Sequence, residues 1–351
     1  MRVLGLLGKA PGAVEIYRIT LPFTNLNTNS NMRCGWMPIK EAAQHLREAH
    51  LSTVFGNDVV VLHRPISDVP DAGETLIQAL RVQGAKVVCE YDDDYSGQHR
   101  ESDSERMNLT WAAYLPYVDA VTVTTRPLAQ LALAESGGKP VYLLPNAVDY
   151  KWFTRVSQDA KRPSSGLTVM LAGTRTHYED WKVVGKVMPS IIADYPDVRL
   201  VVAGDWMVYD YLHWADTIPP VHYAEYPATL AQADILCAPL VPDDPFNACK
   251  SPIKAIEGWS AARPLGRKLG GCAVIATKCG VYRGTVQNRH NGLLVDHTPE
   301  AWDRALRLLI RDEFLRRKLQ VEGLKDARQY DIANRWCDWH TTYTRIVGGA
   351  T

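Results

Sequence analysis

The sequence predicts two consecutive α/β domains, each a parallel sheet with helices on both faces. Three observations carry this. Short β-branched apolar runs alternate with amphipathic stretches along most of the chain. The alternation comes in two series separated by a polar stretch ending in Pro-Ser-Ser-Gly. And 351 residues with 46% hydrophobic content suffice for two cores at roughly 150 residues per domain.

The first series is VLGLL (3–7), VVVLH (59–63), KVVCEY (86–91), AVTVT (120–124) and VYLLP (141–145), with helical patterns such as PIKEAAQHLREAH and GETLIQALRVQG between them. Near-continuous apolar runs of this length suit strands buried on both faces. The stretch YKWFTRVSQDAKRPSSG (150–166) reads as the linker. The second series is LTVMLAG (167–173), VRLVVAG (198–204), ADILCAPL (233–240), CAVIAT (272–277) and GLLV (292–295). The last segment, from Ala301 to Val347, reads as helical throughout, with Trp336, Trp339 and Tyr343 forming a packing stripe. The expected domains are therefore 1–160 and 161–330, with a terminal helix over 331–351. No fixed-period repeat is present.

Composition narrows the function classes. Lys plus Arg (39) equals Asp plus Glu (39), so overall charge does not favour nucleic acid or anionic lipid, although DNA binding needs only one basic face. Seven scattered cysteines without a C-x-x-C fit reduced thiols, and no metal is assigned. No apolar run approaches a membrane span and the N-terminus lacks signal-peptide character, so the expected address is cytoplasmic. Nothing in the sequence specifies an oligomer. Glycines 5, 8 and 12 do not form G-x-G-x-x-G, which argues against a nicotinamide oxidoreductase.

Open α/β sheets bind ligands at the carboxyl ends of their strands, so the chemistry is expected in the loops that follow strands, in a cleft between the two sheets. In PFNACKSPIKAIE (245–257), Ser251 followed by Pro252 reads as a helix start. The free N–H groups near Ile253 and Lys254, together with Lys250 and Lys254, make an anion site. Glu257 lies five residues beyond Pro252, about 7.5 Å along the axis, which is the reach from a diphosphate to a ribose. The plain alternative is a surface helix with a Lys254/Glu257 pair. In LAGTRTHYEDW (171–181), the strand ends at Gly173 and Thr174, Thr176 with Glu179 reads as a capping box, and Arg175 in the turn suits phosphate oxygens. His177, His213, His222 and His290 show no ligand spacing and read as ordinary, with His177 the only one placed near the expected cleft.

Taken in order, LPNAVD (144–149), LAGTRTHYED, YPDVRLVVAGD (195–205), ADILCAPL, the 245–257 stretch, GGCAVIATKCGVYRGTV (270–286) and NGLLV resemble retaining glycosyltransferases of the GT-B fold, within them the family 4 group. The resemblance covers most of residues 140–345; the first half agrees in strand rhythm and in YRITLP (17–22). It implies two Rossmann-like domains facing across a cleft, with the final helix crossing back to the first. It further implies metal-independent transfer of a sugar from a nucleotide-diphosphate sugar with retention, without any cofactor.

By position, Glu257 matches the ribose-binding glutamate of the family's E-x7-E pair. The first glutamate falls on Cys249, which puts the donor sugar in question and keeps a non-catalytic module or an epimerase of the same fold open. Gly173, Thr174, Pro252 and Ile253, with Ser251 and Lys254, match the donor-binding segments; Arg175 and Lys250 match the basic residues that neutralise the departing diphosphate.

The first half should hold the acceptor. The run Asp92, Asp93 and Asp94 at a strand's carboxyl edge needs a cation, a hydroxyl-rich ligand or water. Asp93 is assigned to proton management, and Asp92, Asp94 and His99 to the acceptor, with Gly12, Arg18 and Asn25 nearby. Three aspartates also resemble the metal motif of other transferases, but these lie opposite the donor half. The expected acceptor is a saccharide or glycan. Because compact proteins similar to this one occur in bacteriophages, a hydroxymethylated pyrimidine in DNA is the alternative.

Overall fold

The structure is a computed structural model that describes residues 1–8, 12–47, 56–63, 70–94, 115–158, 160–161, 166–205, 207 and 210–349. It divides into two compact units, Met1–Ala147 with Cys249–Ser251 and Ile332–Thr351, and Val148–Ala248 with Pro252–Asp331.

The first unit contains a six-stranded, wholly parallel sheet of β1 (Arg2–Leu7), β2 (Arg33–Pro38), β3 (Val59–His63), β4 (Lys86–Tyr91), β5 (Ala120–Val123) and β6 (Val141–Leu143), ordered β2-β1-β3-β4-β5-β6. Its helices are α1 (Ala13–Glu15), α2 (Leu21–Asn29), α3 (Ile39–Arg47), α4 (Pro70–Val82) and α5 (Arg126–Glu135), with a π turn over Ile16–Thr20. The five strands expected from their β-branched runs are present. β2 carries Gly35 and Pro38 and only half-buried or exposed residues, so an edge strand lacking the apolar signature went unseen.

The second unit begins with α6 (Tyr150–Ser157), inside the expected linker. Trp152 stacks on Tyr223 with ring centroids 4.9 Å apart, and the Ser157 hydroxyl donates to the Pro227 carbonyl. That packing makes most of the supposed linker part of a core, and the units divide after Ala147. The second parallel sheet comprises β7 (Leu167–Gly173), β8 (Val198–Gly204), β9 (Asp216–Ile218) and β10 (Ile235–Ala238), together with β13 (Ala273–Thr277) and β14 (Gly292–Val295), ordered β14-β13-β10-β7-β8-β9. A small antiparallel ribbon joins β11 (Arg263–Leu265) and β12 (Lys268–Gly270). Its helices are α7 (Tyr178–Asp194), α8 (Tyr226–Leu230), α9 (Pro245–Ala248), α10 (Ile253–Ser260), α11 (Pro299–Arg311) and α12 (Glu313–Ala327).

The C-terminal segment is helical, as expected, in three helices. Asp312 ends α11 and caps α12 by accepting from the Leu315 amide at 2.8 Å. A turn at Arg328–Tyr330 and extended Asp331 then precede α13 (Ile332–Gly348). α13 belongs to the first unit, as the crossing-back expectation required, with Tyr343 edge-on to Phe23 of α2. Among the described residues no helix is long and apolar enough to cross a membrane.

Candidate functional site

In each sheet the strand order reverses once, and ligands of such sheets bind beside that reversal at the carboxyl ends. In the second unit the reversal lies between β7 and β10. The turn after β7 contains Gly173, Thr174 and Arg175. An added Cβ at Gly173 would lie 2.8 Å from the His177 ring, so glycine is what lets that ring fold over the strand end. Gly204, at the end of neighbouring β8, has φ +116 and would place a Cβ 1.9 Å from the Gly173 carbonyl, which only a residue without Cβ tolerates.

Asp180, in the first turn of α7, is fully buried and ties the loops on either side of the reversal. Its carboxylate accepts from the Val241 amide (2.8 Å), the Asn247 side-chain amide (2.7 Å) and His177 Nδ1 (2.9 Å). Burial pushes this carboxyl up, but the His177 bond and charge and the two amide donors outweigh it and hold Asp180 below the ordinary aspartate value. The His177 ring in turn stacks on Trp181 at 5.9 Å.

The sequence marks His177 only by its place near the expected cleft, and it does not single out Asp180 or Asn247. The signal was the spacing of three between His177 and Asp180 across a helix start. The Thr176/Glu179 capping box does not form: α7 starts at Tyr178 without a side-chain cap, Thr176 meets Thr174 and Glu179 pairs with Lys182. Arg175 is exposed, and its backbone amide donates to Asp205 at 3.2 Å.

The helix of the 245–257 stretch is α10, with Pro252 at its N-cap rather than inside its first turn. Ser251 makes no capping bond. By helix geometry the Ile253 and Lys254 amides have no intrahelical partner. Glu257 is only 2% exposed, so this is not a surface helix with a solvated pair. Its Oε2 accepts from Lys254 Nζ (3.0 Å) and the Tyr226 hydroxyl (3.1 Å), and Lys254 also donates to Tyr226 at 2.9 Å. Burial works against the ammonium, yet Glu257 and Tyr226 hold Lys254 above the ordinary lysine value; burial and the Glu257 charge raise the Tyr226 phenol. The Lys254 ammonium expected on a phosphate is thus committed to Glu257, a correction that leaves the helix amides as the anion-facing feature of α10.

In the first unit, Arg18 is fully buried and is not an acceptor-binding side chain. Its Nε donates to Glu90 at 2.7 Å and its Nη1 to the Leu144 carbonyl (2.6 Å) and to Asn146 Oδ1 (3.1 Å). Its guanidinium lies 5.4 Å from the Trp339 ring centroid. Burial raises the Glu90 carboxyl, with Arg18 and the Thr122 hydroxyl pulling it back. Asn25 spends its amide on its own helix, donating to the Leu21 carbonyl at 2.9 Å. Gly12 caps α1, its amide donating to Glu15.

Asp92 and Asp94 are buried at the end of β4, so the triplet is not a solvated turn. Asp93 lies 3.9 Å from Lys250 Nζ. Cys249 packs in the first unit's core, and burial followed by the charges of Asp94 and Asp93 pushes its thiol up to about 12. A neutral thiol cannot do a carboxylate's work at that position. His99 lies outside the described residues.

Comparison with known proteins bears on the fold and on the second unit. Residues 166–312 match the family model described as Glycosyl transferases group 1. Over 198 residues the chain is 27% identical to one component of the phosphatidylinositol N-acetylglucosaminyltransferase of Arabidopsis thaliana, covering 55% of this chain and 40% of that protein. The chain thus spans well under half the length of that relative. Sucrose-phosphate synthase from Thermosynechococcus elongatus superposes with a TM-score of 0.70 at 14% identity, covering 99% of this chain and all of that one. HepE from Anabaena, crystallised with UDP and glucose, superposes with a TM-score of 0.67 at 13% identity over 98% and 99% of the two chains. The chain has the two-sheet GT-B fold, and its residues 166–312 are similar to the Glycosyl transferases group 1 family.

Proposed function

We propose that the protein moves a sugar from a nucleotide-diphosphate sugar to a saccharide or glycan hydroxyl, with retention and without a metal. The observation that carries this reading is Glu257. A carboxylate buried in α10, held in one orientation by Lys254 and Tyr226, stands about one turn beyond the helix N-terminal amides. A pair of ribose hydroxyls donates to such a carboxylate while a diphosphate meets those amides.

In the second unit, Gly173, Thr174 and Arg175 form the turn on the diphosphate side, with the exposed Arg175 guanidinium stabilising charge as the diphosphate leaves. Pro252 and Ile253 bring backbone to it. Lys250 and Ser251, which belong to the first unit, lead directly into α10 in the sequence, and the family resemblance gives Lys250 to the departing diphosphate. In the first unit, Asp92, Asp93 and Asp94 at the end of β4 are the acceptor side, with Asp93 accepting a hydrogen bond from the acceptor hydroxyl and orienting it. Departure of the diphosphate leaves an oxocarbenium-like sugar; the same-face phosphate takes the acceptor proton, so a strong protein base is not required.

The HepE complex with UDP makes uridine the first base to test. The experiment is titration of UDP, GDP and ADP into the protein, followed by incubation with the sugar form of whichever binds. Product anomers are read by NMR with and without chelator. Released nucleoside diphosphate and a product keeping the donor's anomeric configuration in chelator are expected. No nucleotide binding, an inverted product, or labelling only of hydroxymethylated DNA would each remove a stated part of the reading.

A further inference from the structure

The sequence read Ser251 as a helix cap, yet its hydroxyl is engaged elsewhere: Ser251 Oγ accepts from Asn146 Nδ2 at 2.8 Å. The two residues are 105 positions apart, and both belong to the first unit. The polarity of this bond is fixed by chemistry. Asn146 also touches Arg18 Nη1, and a guanidinium can only donate, so the atom facing Arg18 is the amide oxygen and the one facing Ser251 is the NH2. Arg18 is itself pinned by Glu90 and by the Leu144 carbonyl. Glu90 is 1% exposed and also accepts from the Thr122 hydroxyl. A buried ion pair therefore dictates, through one amide, that Ser251 Oγ receives a hydrogen from inside the fold.

With one lone pair so occupied, the Ser251 hydroxyl hydrogen is aimed at something else, and no protein acceptor takes it among the described residues. A hydroxyl committed as donor, next to Lys250 and two positions before α10, complements an oxygen that only accepts. We infer that Asn146 is a positioning residue that presets Ser251 as a hydrogen-bond donor to a phosphate oxygen of the nucleotide, with the Glu90–Arg18 pair setting its direction. This rests on the nucleotide reading proposed above.

Asn146→Asp tests it by reversing polarity, since a carboxylate would accept from Arg18 and from Ser251 alike and turn the hydroxyl hydrogen inward. Ser251→Ala removes the donor, and Ser251→Thr keeps it. UDP, or whichever nucleoside diphosphate the wild type retains, is titrated into the full-length variants, with melting temperature measured in parallel. Expected is a loss of affinity of roughly tenfold for Ser251→Ala and at least as much for Asn146→Asp. The double variant should lose no more than Asn146→Asp alone, and Ser251→Thr should stay near wild type.

If Asn146→Asp fails to fold, the Ala/Thr pair at 251 decides. Wild-type affinity in Ser251→Ala overturns the inference while leaving the nucleotide reading intact, and a weakened Ser251→Ala beside an unaffected Asn146→Asp removes Asn146 from it. A wild type that binds no nucleoside diphosphate overturns the nucleotide reading itself, and this inference with it.

Discussion

Each unit of the protein buries a carboxylate against a cation, and the two pairs differ in what else they hold. Arg18 and Glu90 in the first unit are 0% and 1% exposed, whereas the Lys254 side chain in the second is 21% exposed beside Glu257 at 3%. The first pair is closed: its charges serve a carbonyl, a hydroxyl and an amide within the same unit, and Arg18 Nη2 has no partner among the described residues. The second sits one turn from unpaired helix amides with solvent at its edge. A sealed ion pair contributes orientation to its surroundings and is costly to break, while a partly open one keeps a charged group available to a ligand.

The largest expected effect breaks the sealed pair. Arg18→Leu leaves Glu90 buried without its counter-charge, and loss of about 3–5 kcal/mol of unfolding free energy is expected by denaturant titration. Retained wild-type stability would show that Glu90 is not held by Arg18. Next comes the open pair, where Glu257→Gln should weaken nucleoside diphosphate binding by roughly tenfold or more with little change in denaturation midpoint. A large stability loss without an affinity loss would make Glu257 as structural as Glu90.

Arg175→Ala is expected to reduce turnover by roughly tenfold to a hundredfold at unchanged melting temperature, because the side chain is exposed. Wild-type turnover would reduce it to a solvated arginine. The last effect concerns pH. Asp180 titrates below its ordinary value of 3.8, so its bonds to His177, Val241 and Asn247 contribute stability above that pH, and this contribution is lost as pH falls through the lower folded value. Asp180→Asn should therefore be less stable than wild type by about 1–3 kcal/mol near neutrality. The gap should narrow below pH 3.8; a constant gap down to acid would show that the carboxylate charge is not what joins those loops.

The difference between the two pairs also marks what was legible in the sequence. Runs such as VVVLH and LTVMLAG announce buried parallel strands, because burial on both faces needs apolar residues at every position. RCGWMP at an edge announces nothing, and Asp312 inside an amphipathic pattern starts a new helix through a single capping bond. At the site, Glu257 was legible because α10 places it relative to a helix start by local geometry alone. Arg18, read as a ligand contact, is buried by partners at Glu90 and Asn146, and Asn146 reaches Ser251 across 105 residues. Contacts of that sequence separation are set by the order of strands in a sheet, which local patterns do not encode. Asp180 lies between these cases, since its partner His177 was near but Val241 and Asn247 lie beyond the next strands of the sheet.

The central claim, that the α10 carboxylate belongs to a nucleotide-binding site, is tested most directly by calorimetric titration of UDP, GDP and ADP into wild type and Glu257→Gln. The expected result is saturable binding of one nucleoside diphosphate by the wild type and loss of roughly tenfold or more of that affinity in a variant that melts like the wild type. Equal affinities, or no binding by either protein, would contradict it.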